Sequence, residues 1–179
     1  MALNRIVGSI ALGGAMIFPM TVAAQAGVLG GDSVACTSGS GPAIRADVSG
    51  LKDRTGELKL ELYPANDADF LKDDRDLKKE GKFFRRVVAP TPQSGPVSLC
   101  IRAPGPGKYA LLFTHNRDGK NKFNIWSDGA GFPSNVKLGR TRPKLGMAMI
   151  SVGTGVTVTD IRAQYLRGLG GFGPLNPSN

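Results

Sequence analysis

The chain has 179 residues, one histidine and two cysteines, and its 23 lysines and arginines outnumber 14 aspartates and glutamates to give a formal net charge of +9. One histidine and two cysteines are too few to complete a four-ligand zinc site, and there is no C-x-x-C redox motif. The basic residues are scattered, with only a loose cluster at 137–144, which argues against nucleic acid as a partner and leaves solubility as the simplest explanation of the charge.

Residues 1–26 have the pattern of a secretory signal. A single base, Arg5, precedes an apolar run that ends in the small-residue stretch AQA. Glycines and Pro19 interrupt this run, which is near the lower length limit for a membrane span. We predict cleavage after residue 26 and export to the periplasm or out of the cell. No second apolar run of spanning length follows, so the mature chain is predicted to lack a transmembrane segment.

An N-terminal segment, residues 27–42, contains Cys36, and the other cysteine is Cys100. Disulfides persist in exported proteins, and an even number of cysteines favours one bridge between them. Alternation within the run 96–104 places Cys100 on the side of its strand that faces away from the core. The bridge is therefore predicted to strap the N-terminal segment over the outside of a sheet.

Short runs of alternating apolar and polar residues recur between turn residues along the rest of the chain, which is typical of β-strands. The predicted strands are 44–51, 56–65, 82–90, 96–104, 107–115, 145–153 and 155–166. The apolar phase of the last run shifts between Val158 and Ile161, so we expect a bulge near Thr159 and Asp160. Seven such strands predict an all-β fold, a single antiparallel β-sandwich over residues 43–166.

Two segments fall outside this pattern. The charged stretch 66–81 could hold one or two helical turns. Residues 167–179 are rich in glycine and proline and are predicted to form a flexible C-terminal tail.

The stretch THNRDGKNKFNIWSDGAGFPSN, residues 114–135, contains the only histidine and the only tryptophan of the chain. It follows the central strand and is too long for a simple hairpin, and long loops of this kind often carry function. The candidate binding residues in this loop are His115, Asn116, Asp118, Lys120, Asn124, Trp126, Phe132 and Asn135.

Part of this loop is similar to a calcium-binding loop, because Asn116, Asp118 and Asn124 supply oxygen atoms at short intervals. Lys120, however, occupies the position of a further ligand, and its ammonium group would repel a divalent cation. The glycine also falls at 119, too early for the calcium motif. We therefore predict no metal site and no cofactor, and keep calcium binding as an alternative.

His115 continues the apolar face of the central strand, so the simplest interpretation is a structural histidine that is hydrogen-bonded to the loop backbone. A catalytic triad with Ser127 and Asp128 lacks a nucleophile-elbow pattern. Trp126 and Phe132 have two interpretations that the sequence leaves open. They either form a platform for a sugar or a partner, or they pin the loop to the sandwich.

The order of motifs GKYALLFTHNRDGKNKF, GFPSN, RPKLGMAMISV and VTVTDIRAQYL resembles an exported bacterial family known as domain of unknown function 2141, over roughly residues 43–166. The resemblance implies a transthyretin-like or immunoglobulin-like β-sandwich without an established activity. The chain differs from the family pattern at Asn116, where aspartate is usual, and at Lys120, where asparagine is usual. The positions that match the family pattern are His115, Asp118, Gly119, Pro133, Ser134, Asn135, Arg142 and Pro143.

These observations lead to three functional hypotheses. The first is a non-catalytic binding or accessory module of the cell envelope that contacts an envelope protein or a glycan through the 115–135 loop. The second is a protein that binds a metal or a polyanion, such as an acidic glycan or a lipid head group. The third is a hydrolase built around His115, for which no nucleophile or metal partner is evident.

Overall fold

Two β-sheets form the framework of the described chain. The computed structural model describes residues 27–120 and 122–175, so the predicted signal peptide lies outside the described residues. Within those ranges, the strands in chain order are β1 Ala43–Ser49, β2 Glu57–Pro64, β3 Arg85–Pro90, β4 Val97–Arg102, β5 Gly107–Asn116, β6 Gly129–Gly131, β7 Met149–Val152, β8 Val156–Arg162, β9 Gln164–Leu166 and β10 Phe172–Pro174.

Short helical segments connect or cover the sheets. They are α1 Ser33–Thr37, α2 Asp74–Lys79, α3 Leu145–Ala148 and a 3-10 turn at Gly168–Gly170. α2 lies in the charged stretch where a helical turn was predicted. The Asp73 side chain caps its first turn by accepting the N–H of Arg75 at 2.9 Å, and Leu77 is buried beneath it.

The smaller sheet has the strand order β4-β1-β8, and the larger sheet has the order β10-β9-β6-β5-β2-β3. β7 pairs with the first half of β5, while β6 pairs with the second half of β5. β5 is thus the central strand of the larger sheet, as its apolar sequence on both faces had indicated. It brings His115 and Asn116 to the start of the long loop.

The main core lies between the two sheets. Leu58, Leu60 and Leu62 of β2 point into it together with Leu111 and Phe113 of β5, because alternate residues of a strand lie on one face. The smaller sheet contributes a matching set of apolar side chains, Ile44, Ala46, Val48, Leu99 and Ile101. Burial of each large side chain contributes about 2 kcal/mol. The predicted all-β sandwich is confirmed.

A second apolar cluster covers the outer face of the larger sheet. Tyr63 and Ala110 point outward from β2 and β5, and Leu77 of α2, Phe70 and Phe132 pack over them. The segments 66–81 and 132–148 therefore act as a cover for this face.

The predicted disulfide between Cys36 and Cys100 is present. Cys100 is buried outside the main core, in a small cluster with Ala35 and Ala43, so α1 is held over the outer face of the smaller sheet. Asp32 adds a second tie, since its carboxylate accepts the N–H of Arg102 at 2.9 Å and pairs with the guanidinium of Arg85.

The last predicted strand requires a correction. β8 pairs with β1 in one uninterrupted register, from Ala43 opposite Val156 to Ser49 opposite Arg162, so there is no bulge near Thr159 and Asp160. The apolar phase shifts because Val156 and Val158 lie on the outer face, whereas Ile161 is in the core. The chain then leaves the smaller sheet and continues as β9 in the larger one.

The β1–β8 pair is parallel, whereas every other pair of the ten strands in the described chain is antiparallel. The two strands are far apart in sequence, so no hairpin turn imposes an antiparallel direction on them.

Three further segments differ from the sequence-based prediction. Residues 145–148, predicted to begin a strand, form α3. Residues 129–131, predicted to be loop, form β6, where a Cβ on Gly129 would lie 2.4 Å from the Tyr165 ring and one on Gly131 would lie 2.6 Å from Ile161. The predicted flexible tail contains β10, which pairs with β9; residues 176–179 lie outside the described chain.

Candidate functional site

The candidate site lies around the 115–135 loop, and its most buried member is His115. Its side chain is completely buried, as expected from the inward position that it shares with Phe113 on β5. Nε2 lies 2.8 Å from the carbonyl oxygen of Thr55, and Nδ1 lies 2.7 Å from the hydroxyl of Tyr165. The histidine therefore links β5 to the 50–56 loop and to β9.

These contacts determine the tautomer of His115. The Thr55 carbonyl can only accept, so Nε2 must carry the proton and donate it, and in the neutral ring Nδ1 accepts from the Tyr165 hydroxyl. The Lys52 N–H donates to the same hydroxyl at 3.0 Å. Burial lowers the pKa of His115 and raises the pKa of Tyr165 to about 12. Both side chains are thus held neutral, and among the described residues no serine, threonine or cysteine side chain is hydrogen-bonded to the imidazole.

We expect the imidazole of His115 to titrate below its ordinary pKa of 6.5, because burial disfavours the charged form. The unfolded chain binds the proton more readily, so the free energy of unfolding should fall as the pH is lowered from 6.5 towards the folded-state pKa. The chain has one histidine, so its imidazole proton resonance can be followed without assignment. Urea unfolding at each pH provides the stability. A resonance midpoint at or above 6.5, or a stability that rises with acid over this interval, would contradict the expectation.

An ion pair closes the space beside His115. Arg117 donates through Nε to Asp53 Oδ2 at 2.9 Å, its Nη2 pairs with the same oxygen, and its Nη1 donates to the Ser127 carbonyl at 2.9 Å. Asp53 Oδ1 lies 4.0 Å from the His115 Nε2. The Arg117 guanidinium lowers the pKa of Asp53 well below its usual range. Asp53 and Arg117 were missed by sequence analysis, because nothing local relates residues that lie 64 positions apart.

Asp128 holds the two ends of the long loop together. The side chain is only 1% exposed, and its carboxylate accepts the N–H of Arg117 at 2.9 Å, the N–H of Asn124 at 2.9 Å and the hydroxyl of Ser127 at 3.0 Å. Ser127 therefore serves as a donor to a structural carboxylate. This arrangement adds no support for a catalytic triad with Ser127 and Asp128, for which the sequence lacks a nucleophile-elbow pattern.

Asp118 and Asn124 order the middle of the loop. Asp118 accepts the N–H of Lys120 at 3.0 Å and the side-chain amide of Asn124 at 3.0 Å, and the Lys120 ammonium lies 3.8 Å from the same carboxylate. The Asn124 side-chain oxygen accepts the N–H of Trp126 at 3.1 Å. Donors of the loop itself are thus bonded to the oxygens of Asp118 and Asn124, two of the three predicted calcium ligands. Within residues 27–120 and 122–175, no three His, Cys, Asp or Glu side chains are grouped to hold a metal ion.

The side chains of Asn116 and Asn135 form hydrogen bonds within the protein. Asn116 is 1% exposed and donates its side-chain amide to Glu57 at 3.4 Å. Asn135 has a φ of 54°, a conformation that asparagine tolerates. Its amide donates to the Asp160 carbonyl at 2.9 Å and its oxygen accepts the N–H of Arg162 at 2.6 Å, which ties the segment after Phe132 to the free edge of β8.

The two aromatic side chains predicted as a possible platform lie in different environments. Phe132 is 2% exposed and packs edge-on against Phe70 with ring centroids 6.0 Å apart, so it belongs to the outer cluster that covers the larger sheet. Trp126 is 78% exposed. Phe123 and Ile125, which the sequence analysis did not select, are 44% and 50% exposed. We call Phe123, Ile125 and Trp126 the apolar tip.

A family model described as "uncharacterized protein conserved in bacteria", domain of unknown function 2141, matches residues 46–160. The match spans more than half of the chain, so the chain belongs to this family and the resemblance seen in its motifs is confirmed. No curated protein and no solved structure matches the chain.

Proposed function

We propose that this member of the uncharacterized bacterial family is an exported, non-catalytic binding module of the cell envelope whose contact surface is the apolar tip. The observation that carries the proposal is the exposure of Phe123, Ile125 and Trp126 at adjacent positions of one loop. Eight large apolar side chains are exposed in the described chain, and these three fall within four consecutive positions. Clustered apolar exposure of this kind is typical of interaction sites, whereas single exposed residues are common everywhere.

The base of the loop is rigid enough to present the tip. Asp128 and Asn124 bind the backbone of the loop from within, and Arg117 bridges the loop to Asp53. None of these bonds uses the side chain of Trp126. A preorganised loop loses less conformational entropy on binding, and an exposed tryptophan is a frequent source of binding energy. An envelope protein or a glycan is the partner that this surface suits.

Two observations support the non-catalytic part of the proposal. The His115 ring is fully buried, and both of its nitrogens are engaged by Thr55 and Tyr165. A general base must reach the proton of its substrate, and this histidine has no route to one. A hydrolase built around His115 is therefore the weaker hypothesis.

Export is supported by the disulfide between Cys36 and Cys100, because such bonds persist in oxidising compartments. Across the described residues, no helix is long and apolar enough to cross a membrane. We propose that the chain is delivered by the signal sequence predicted for residues 1–26 and acts in the periplasm or outside the cell.

Substitution of Trp126 by alanine is expected to weaken partner binding at least tenfold while changing the free energy of unfolding by less than about 0.5 kcal/mol. The indole is exposed and contributes no hydrogen bond to the loop, so its loss leaves the fold intact. Val34→Ala is a matched control, since Val34 is 69% exposed and lies on α1, outside the tip. A loss of stability comparable with that of a core variant would instead make Trp126 a structural residue.

The partner can be identified by photo-crosslinking in the exporting cell. A photo-reactive amino acid is placed at 126, and the same group is placed at Val34 as the control. A discrete protein or glycan adduct is expected from position 126 only. Equal labelling from both positions, or no adduct from folded and exported protein at position 126, would refute the apolar tip as the contact surface.

A further inference from the structure

A groove of about 620 Å³ lies beside β9 and β10. Lys137, Arg162 and Arg167 line it, and none of its lining residues is acidic. The sequence by itself shows only a loose basic cluster at 137–144. The larger sheet brings Lys137 together with two arginines that lie about 25 and 30 residues further along the chain.

Gly173 forms the floor between two of these cations. A Cβ on Gly173 would lie 3.4 Å from Cε of Lys137 and 3.9 Å from Cδ of Arg167, so the two side chains flank the glycine. Arg167 is oriented by its Nη1, which donates to the carbonyls of Pro174 at 2.6 Å and Leu175 at 2.8 Å. Carbonyl partners fix the direction of the guanidinium without neutralising its charge.

Neither Lys137 nor Arg167 forms an ion pair with any carboxylate among residues 27–120 and 122–175. Nine lysines and arginines of the described chain do form ion pairs, including Arg117 with Asp53. The groove is therefore a local concentration of positive charge, and such a concavity attracts anions.

The uncharged polar side chains of the groove are already engaged. Gln164 accepts the N–H of Leu138 at 3.0 Å and donates to the Val136 carbonyl at 2.9 Å. Asn135 is bonded to the backbone of β8, as described above. These contacts hold the walls in place before a ligand arrives, so the cations are the groups that select it.

We propose that this groove binds the carboxylate or phosphate group of an acidic glycan. Three lining positions are glycines, which leave a shallow trench open to an extended chain, and Pro174 is the only apolar side chain that lines it. A lipid acyl chain would gain little there, whereas a charged sugar finds fixed cations and a polar floor. No residue of the apolar tip lines the groove, so this glycan site is separate from the proposed contact surface.

The groove and the apolar tip lie close to the same edge strand. The ring of Phe172 in β10 is 5.9 Å from the ring of Phe123, and Phe172 is the neighbour of Gly173 in the groove floor. Phe123 thus packs beside the groove, whereas the exposed Trp126 contributes no side chain to its lining.

Isothermal titration of the folded protein with tetragalacturonic acid tests the site. We expect binding that weakens steeply with added salt and no binding of an uncharged tetrasaccharide. Lys137→Gln is expected to raise Kd about fivefold and the Lys137→Gln/Arg167→Gln double variant at least twentyfold. Lys108→Gln, an exposed base on β5 outside the groove, is the charge-matched control and should leave Kd unchanged.

Further experiments separate the effect of groove shape from that of charge, and glycan binding from lipid binding. Gly173→Leu keeps every cation but fills the floor, so it should also abolish binding; circular dichroism confirms that each variant is folded. Inorganic phosphate should compete with the tetragalacturonate. Equal loss in Lys108→Gln, unchanged affinity in the double variant, or binding of phosphatidylglycerol vesicles but not of the tetragalacturonate would overturn the proposal. Trp126→Ala should not affect this titration, so failure here and failure of the apolar tip are distinguishable.

Discussion

Replacement of both Cys36 and Cys100 by alanine is expected to lower the free energy of unfolding by about 4 kcal/mol. The bridge spans a sequence separation of 64 residues, so it restricts the unfolded chain over more than a third of the protein. It also holds α1 over the smaller sheet, where Cys100 is buried with Ala35 and Ala43. Such a loss is a large part of the stability of an ordinary domain.

Urea unfolding of the oxidised protein and of the double variant measures this effect. The wild-type protein unfolded in the presence of a reductant should match the variant, because both lack the cross-link. The single variant Cys36→Ala should lose nearly as much stability as the double variant. A loss below about 1 kcal/mol would show that the N-terminal strap is held mainly by Asp32 and its contacts with Arg85 and Arg102.

Substitution of Asp128 by alanine is expected to cost about 3 kcal/mol, because it leaves the N–H groups of Arg117 and Asn124 and the Ser127 hydroxyl without their acceptor. The loop should also become mobile, so binding through the apolar tip should weaken together with stability. Thermal and urea unfolding report the first effect, and hydrogen exchange of the loop amides reports the second.

Asp67→Ala provides the matched control for Asp128, since Asp67 is exposed on the far cover segment and should change stability by less than about 0.5 kcal/mol. Asp128→Asn retains one acceptor oxygen and should fall between the wild type and the alanine variant. If Asp128→Ala were no more destabilising than Asp67→Ala, the loop would not depend on its buried carboxylate.

Strands with strict alternation were predictable from sequence. Leu58, Leu60 and Leu62 lie on the inner face as their spacing required, because a β-strand places alternate side chains on opposite sides. The same rule assigned Cys100 to the outer face and thereby anticipated the strap. These features depend on the two-residue alternation of a β-strand, which can be read from a short stretch of sequence.

The sandwich architecture, the disulfide and the family were therefore determined by the sequence, since each depends on alternation, cysteine number or motif order. A strand made of small residues was not predictable from the sequence. β6 has the sequence Gly-Ala-Gly, and its glycines allow the close approach of Tyr165 and Ile161. Tertiary structure alone decided four other features: the parallel pairing of β8, the burial of Phe132, the Asp53–Arg117 pair and the cationic groove at Gly173. Each joins residues that are distant in the chain, and only the tertiary arrangement of strands and loops brings such residues into contact.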